Sequence, residues 1–187
     1  MRTPSVEPDA ALVARAVAGD REVFGALVMR YQESVRRVTR AVTGNAEDAD
    51  DAAQDTFLSA LDRLETYDAS RPFGPWLMRI ASNAAIDLVR RRTVRAAQPL
   101  EPFYASPDQS PAAAAEAAEI RRELAAALAD LPPRQRAALT LFDVEGYAHA
   151  EIAAILKVPE GTVRSDVFHA RRALRKVLRV YGPETEG

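Results

Sequence analysis

Four side chains in the first third of the chain have the types and spacing of a binding face. Asp48, Asp51 and Asp55 stand at positions i, i+3 and i+7, and Gln54 lies beside them. On a helix this row would bind a basic or polar partner surface, or it would be an ordinary solvated face. A metal site is weakly supported, because helical spacing alone does not make the carboxylates converge on one ion. The row alone leaves the first two interpretations open.

Arginines are concentrated in two separate segments of the chain. Residues 71–95 contain six arginines and one aspartate, and residues 134–181 contain nine basic and five acidic residues. The remaining segments are acidic, so the net charge is only -2. Two basic segments in a nearly neutral chain indicate two contacts with a polyanion, although solvated arginine faces would have the same composition.

Most catalytic chemistry is excluded by what the sequence lacks. There is no cysteine and there are only two histidines, which excludes disulfides and thiolate metal sites and disfavours a histidine-built one. We find no phosphate-binding loop, no Ser–His–Asp set and no metal-ligand cluster in the sequence. We therefore expect no catalysis, no cofactor, no bound metal and no small-molecule substrate.

The sequence has no signal for export or membrane insertion. The N-terminal residues, with Arg2, Pro4, Glu7 and Pro8, lack the apolar core of a signal peptide. No apolar run approaches the length that spans a bilayer. We expect a cytoplasmic protein without direct membrane insertion.

The apolar periodicity predicts an all-α fold. Apolar residues recur at three- and four-residue steps in both halves, which predicts four helices in each. Gly44 is expected to end the second helix, and Asn45 is expected to cap the third. No strand-like alternation of useful length is present.

Between the two helical halves, residues 93–115 contain four prolines and no periodicity. This segment is long for a loop inside a compact domain, so we predict a flexible linker. The predicted domains are residues 10–92 and residues 116–180, each a small four-helix body.

The most specific local pattern lies near the C-terminus. A helix over about 148–156, a short turn and a longer basic helix over about 160–179 have the layout of a helix-turn-helix. Val163 and Val167 are expected to anchor the second helix. A helical hairpin with solvated arginines is the alternative. The residues left for contact with DNA bases and phosphates are Thr162, Arg164, Ser165, His169, Arg171 and Arg172.

This C-terminal part resembles the corresponding domain of extracytoplasmic-function (ECF) sigma factors. The segments that carry the resemblance are LPPRQR at 131–136, EGY at 145–147, EIA at 151–153, GTVRS at 161–165 and ARRALR at 170–175. In that family the domain reads the minus-thirty-five promoter element, and the resemblance implies the same role here.

The N-terminal half resembles the other domain of the same family. Residues 47–58, EDADDAAQDTFL, are similar to the segment that packs on the clamp coiled coil of RNA polymerase, which implies that Asp48, Asp51, Gln54 and Asp55 bind the polymerase. Residues 73–92 resemble the helix that reads the minus-ten element, with residues 70–75 cupping an unstacked base. The implied DNA contacts of this helix are Arg79, Asn83, Arg90, Arg91 and Arg92. Trp76 is expected to belong to the core.

Three residues depart from the family pattern. Ala148 stands where a serine would cap the first helix of the helix-turn-helix, at a cost of about 1 kcal/mol. Lys157 replaces a glycine in the turn, which is unfavourable if the residue is left-handed. Asp166 replaces a basic residue and is expected to lie beside the DNA, where it would repel phosphate or accept a hydrogen bond from cytosine.

As a whole, the resemblance implies a sigma factor that binds core RNA polymerase and directs promoter recognition, strand opening and transcription initiation. It also implies an anti-sigma partner. The alternative is a stand-alone promoter-binding regulator that uses only the helix-turn-helix. That alternative leaves the acidic row and the arginines after Trp76 unexplained.

Overall fold

The computed structural model describes residues 7–95 and 111–181, which form eight α-helices and one 3-10 turn, Leu64–Thr66. No strand is present in these two ranges, and the all-α prediction is confirmed. The helices are α1 (Asp9–Val17), α2 (Arg21–Thr43), α3 (Ala46–Asp62), α4 (Phe73–Arg95), α5 (Pro111–Ala129), α6 (Pro133–Asp143), α7 (His149–Leu156) and α8 (Glu160–Tyr181).

The junction between α2 and α3 has the predicted chemistry. Gly44 follows α2 with φ 80° and ψ -1°, a left-handed conformation that glycine adopts without strain. Asn45 is extended, and its side-chain oxygen accepts a hydrogen bond of 2.8 Å from the backbone N–H of Asp48. These two residues end one long helix and start the next within a two-residue turn.

The helices form an N-terminal domain, α1–α4, and a C-terminal domain, α5–α8. In the first, α2, α3 and α4 pack on one another and α1 covers α2. In the second, α8 packs against α5, α6 and α7. Helix α4 extends to Arg95 and α5 begins at Pro111, so helices take in both ends of the segment predicted as a linker. Its central part, residues 96–110, lies outside the described residues.

The two domains are packed against each other, an arrangement that the sequence did not indicate. Helix α6 contacts α2, and α7 contacts α4. Most of the buried apolar residues of both domains belong to one continuous cluster, in which Leu27 and Leu77 of the N-terminal domain join Leu141 and Ile152 of the C-terminal domain.

None of the helices in residues 7–95 and 111–181 has the length and hydropathy of a membrane-spanning segment.

Candidate functional site

The acidic row on α3 is divided between an exposed part and a buried residue. Asp51, Gln54 and Asp55 are exposed along one side of the helix. Asp48 is only 4% exposed, and its carboxylate lies 2.6 Å from an Arg92 guanidinium nitrogen. Three of the four predicted polymerase-binding side chains are therefore available to a partner, whereas Asp48 joins the start of α3 to the end of α4.

Three of the predicted DNA-binding residues on α4 line one polar cleft. Arg79, Asn83 and Arg91 contribute to a space of about 700 Å³ between α3 and α4, which Asp55 and Lys157 also border. Its cationic and amide donors are the groups that hold a strand backbone. The cleft brings Asp55 of the acidic row, two arginines of α4 and Lys157 of the helix-turn-helix to one place.

Arg90 and Arg92 lie elsewhere on α4. Arg90 is exposed and stands 3.7 Å from Asp87, one helical turn earlier. Arg92 forms an ion pair with Asp48 at the start of α3. The sequence predicted all three arginines at the end of α4 as one group, but only Arg91 borders the polar cleft.

The turn before α4 rests on aromatic rings. Tyr31, Tyr67, Phe73 and Trp76 form a cluster in which neighbouring ring centroids lie 5.2 to 5.5 Å apart. Phe73 is 2% exposed, and Trp76 packs against the core as the sequence predicted. This cluster gives residues 68–75 a rigid base.

Hydrogen bonds within the turn add to that support. Asp68 accepts hydrogen bonds from the backbone N–H of Ser70 at 3.0 Å and from its hydroxyl at 2.6 Å. These bonds lower the pKa of the Asp68 carboxyl. Tyr67 donates its hydroxyl hydrogen bond to the carbonyl of Arg71.

The helix-turn-helix is present, and two of the three residues that depart from the family pattern, Ala148 and Lys157, lie at the start and the end of its first helix. At the start of α7, the backbone N–H of Ala148 donates to Glu151 at 2.8 Å, so only the glutamate half of a capping box is available. In the turn, Lys157 has φ 54° and ψ 47° and is the one non-glycine residue of the described ranges with positive φ. The left-handed conformation that we expected to be costly is the one observed.

Helix α8 has an inward face and an outward face. Val163, Val167 and Ala170 are buried against the other helices of the domain. Thr162 is half-buried at the start of the helix. The outward face carries Arg164, Ser165, Phe168, His169 and Arg172.

Arg171 is on a different side of α8 from the other predicted contacts. Its Nε lies 2.9 Å from Asp143 of α6, its terminal nitrogen pairs with the same carboxylate, and its guanidinium stands 4.9 Å from the Phe142 ring centroid. The hydrogen bond to Asp143 raises the pKa of Arg171. Arg171 therefore holds α8 to α6, and it would reach DNA only by leaving this partner.

The expectation that Asp166 lies beside the DNA is wrong. Asp166 is 4% exposed, and its carboxylate accepts hydrogen bonds of 2.7 and 3.3 Å from Arg134 of α6. The residue falls on the same arc of α8 as Val163 and Ala170, so its side chain points into the domain. It positions Arg134 and does not present a free carboxylate to phosphates.

Two residues of the surface were missed by the sequence reasoning. Phe168 is 55% exposed on the outward face of α8, edge-to-face with His169. An apolar residue on the polar arc of the helix was the signal that would have identified it. Lys157 was read only as a turn residue, and its position beside the α4 cleft required the domain packing to be seen.

Within the described ranges, no three histidine or acidic side chains lie close enough together to hold a metal ion.

Comparison with known protein families matches both halves of the chain. A model of sigma-70 region 2 matches residues 27–95, and a model of sigma-70 region 4 matches residues 121–174. These ranges cover the α3 acidic row and α4 in one case and the helix-turn-helix in the other.

Named relatives and solved structures are similar over most of their length. The chain is 39% identical over 170 residues to the ECF RNA polymerase sigma factor SigM of Mycobacterium tuberculosis, covering 91% of this chain and 84% of that one. It is 35% identical over 182 residues to the RNA polymerase sigma-H factor of Pseudomonas aeruginosa, covering 92% and 94%. The structure of CnrH in complex with the cytosolic domain of CnrY matches with a TM-score of 0.68 and 29% identity, over 94% of this chain and 100% of that one. The chain belongs to the ECF sigma factors of the sigma-70 family, which direct RNA polymerase to promoters.

Proposed function

We propose that the chain binds core RNA polymerase through Asp51, Gln54 and Asp55 and reads promoter DNA with α4 and α8. One observation carries this proposal: Asp55, at the end of the exposed acidic row of α3, borders a cleft lined by Arg79 and Arg91 of α4. A polymerase bound to α3 therefore lies next to the surface that would hold DNA. Asp48 contributes from beneath the row by fixing the start of α3.

At the minus-ten element, α4 would hold a melted strand. Arg79, Asn83 and Arg91 face one cleft, and Arg90 is exposed close by, so cations and an amide can follow the phosphates. The turn at 70–75 would receive an unstacked base, because its aromatic support and its internal hydrogen bonds keep it rigid. Arg92, turned toward Asp48, would stabilise the helix end near the strand.

At the minus-thirty-five element, the outward face of α8 would enter the major groove. Arg164, Ser165 and His169 present donors and acceptors to base edges, and Arg172 reaches phosphates. Thr162 lies near the start of the helix, where hydroxyls contact the backbone. Arg171 would join them after releasing Asp143, or else act by holding α8 in place.

The location and the further partner that we propose follow from binding to RNA polymerase and promoter DNA. The protein would act in the cytoplasm with the polymerase, and the chemistry would belong to the polymerase, so no enzyme activity or cofactor is proposed. We also propose an anti-sigma partner, since the similar protein CnrH is seen in complex with the cytosolic domain of CnrY.

The test is a binding measurement with purified core RNA polymerase. The double variant Asp51→Arg/Gln54→Arg makes the exposed row basic without changing a buried residue. It should abolish co-elution with core enzyme, while the helical circular dichroism signal is unchanged. Glu33→Arg, at an exposed position on α2, is the matched control and should bind like the native chain. Co-elution of the double variant at native affinity would contradict the assignment of this face. A native chain that binds promoter DNA but no polymerase would favour the stand-alone regulator.

A further inference from the structure

A groove of about 970 Å³ lies between α2 and α5, and residues of α6 and α8 complete its walls. Helix α5 packs on α8, which leaves another side of α5 facing this space. The volume falls within the range of about 300 to 1,000 Å³ that is typical of small-molecule sites. Among the described residues, the groove has none in common with the polar cleft beside α4. It is therefore a separate site from the surfaces proposed for the polymerase and for DNA.

The walls of the groove are mainly apolar. They include Ala41 of α2, Ala126 and Ala129 of α5, Leu139 of α6 and Leu174 of α8. Close-packed interiors seldom leave so large a space, and the three alanine side chains are too short to fill it. An apolar ligand would be bound favourably here, because it would remove these walls and its own surface from water. The walls therefore fit an acyl chain.

Positive charge exceeds negative charge among the residues that line the groove. The charged lining residues are five arginines and three aspartates, namely Arg36, Arg37, Arg40, Arg122, Arg136, Asp50, Asp130 and Asp143. Glu145 holds Arg37 at 2.7 Å. By contrast, Arg36 and Arg122 form only exposed ion pairs, with Asp50 at 3.0 Å and with Glu119 at 3.4 Å. Exposed pairs of this kind are weak, so a bound anion can compete for both arginines.

A buried arginine in the wall gives independent support for an anionic ligand. Arg136 is 2% exposed, and its terminal nitrogens donate only to the backbone carbonyls of Leu128, Ala129 and Val42. Its Nε has no hydrogen-bond partner within the described residues. The positive charge of Arg136 is thus buried beside the groove without a carboxylate among these contacts. Because a buried charge is unfavourable until an opposite charge offsets it, this residue favours an anion in the groove.

We propose that the groove between α2 and α5 binds a long-chain carboxylate, with its carboxylate among the arginines of the groove and its chain against the apolar walls. Both parts of the ligand are needed to match the site. A small inorganic anion would leave the apolar walls in water, and a neutral lipid would leave the buried charge of Arg136 without an opposite charge. This inference does not depend on the proposed function, since the groove is separate from the acidic row and from the α4 cleft.

The test is calorimetric titration of the full chain with octanoate, dodecanoate and hexadecanoate, each below the concentration at which it forms micelles. Affinity should rise with chain length, by up to about fourfold for each methylene group that the groove covers. Dodecanol and dodecyltrimethylammonium carry the same chain with a neutral and a positive head group. Both should bind about tenfold or more weakly than dodecanoate, because neither offers an anion to the arginines.

Two variants with matched controls place the ligand in this groove. Ala126→Trp puts an indole ring into the space from an exposed position of α5, and it should weaken dodecanoate binding by about tenfold or more. Ala154→Trp, at an exposed position of α7 outside the groove, should bind like the native chain. Arg122→Gln should weaken binding by about three- to fivefold, whereas Arg175→Gln, at an exposed position of α8, should not. Thermal melts of all four variants confirm that each is folded.

Any of three results would overturn the inference: no binding of dodecanoate or hexadecanoate by the native chain, equal binding of the three head groups, or native affinity in folded Ala126→Trp. An acidic amphipathic helical peptide is titrated in parallel. If the peptide binds in the groove and the fatty acids do not, the groove belongs to a protein partner and the proposal is wrong. Core polymerase binding is measured separately, and its loss or retention bears only on the proposed function.

Discussion

Replacing Arg136 by methionine should destabilise the protein more than replacing any exposed arginine. The guanidinium donates hydrogen bonds to the carbonyls of Leu128 and Ala129, at 3.3 and 3.0 Å, and to that of Val42 at 2.6 Å. It therefore caps the C-terminal ends of α5 and α2, two helices from different domains. Methionine fills much of the same space but leaves these carbonyls without their charged donor.

The loss of stability in Arg136→Met depends on which of these carbonyls can find another hydrogen-bond donor. The end of α5 is only half-buried, so water can replace the donor at Leu128 and Ala129 at small cost. The carbonyl of Val42 lies between the domains and loses a bond worth about 1.5 to 3 kcal/mol. Part of the loss is offset, because burial of the Arg136 guanidinium is itself unfavourable and lowers its pKa. The small cost at α5 and this offset roughly cancel, so we expect a net loss of about 1.5 to 3 kcal/mol, or about 3 to 12 °C in Tm for a chain of this size.

Thermal melts followed by circular dichroism measure this loss directly. Arg122→Met is the control, because Arg122 is exposed and its 3.4 Å contact with Glu119 is a surface ion pair worth less than about 0.5 kcal/mol. Arg136→Lys should fall between the two, since one ammonium group cannot reach both helix ends. A Tm of Arg136→Met within about 2 °C of the native value would refute the capping argument.

Three further predictions concern the helix-turn-helix. Arg172→Ala should reduce the slope of the log binding constant against log salt concentration by about one, because it removes one phosphate contact. The measurement uses a promoter selected from a library. Phe168→Ala should weaken binding to that promoter by about 1 to 3 kcal/mol with the salt slope unchanged, because an exposed ring makes apolar contact with thymine methyl groups; an unchanged affinity would place Phe168 outside the interface. Ala148→Ser and Lys157→Gly should each stabilise the domain by about 0.5 to 1 kcal/mol in urea unfolding, the first by completing the cap and the second by relieving a left-handed lysine.

The elements of the fold were predictable because they depend on local chemistry. The apolar spacing in α2 and α8 and the signals at Gly44 and Asn45 are properties of neighbouring residues. At Lys157 the family pattern indicated only that a left-handed residue would be costly, and the structure shows that conformation. The all-α fold and the two bodies could therefore be read from the sequence.

The contacts between elements were not predictable, because they depend on which faces meet. Asp48 was grouped with its neighbours on α3, yet it pairs with Arg92 from a helix more than forty residues later. Asp166 and Arg171 were assigned to the DNA side of α8, and both bind partners on α6. Helical spacing gives the angle of a residue around its own axis, but the direction of the domain interior comes from tertiary packing.

The packing between the domains had no sequence signal of its own. Arg136 stands inside a motif of the family's C-terminal domain, and nothing in that motif indicates its hydrogen bond to the end of α2. A charged residue buried at the ends of two helices can be recognised only when both helices are in place.

Transcription by purified core RNA polymerase shows whether the chain directs initiation at promoters. Core enzyme with and without the native chain is incubated with a promoter library, and the transcript ends are sequenced. Discrete start sites are expected that appear only with the chain and that lie downstream of two shared sequence elements at fixed spacing. If no start site depends on the chain, while a known sigma factor activates the same core enzyme, the account is contradicted.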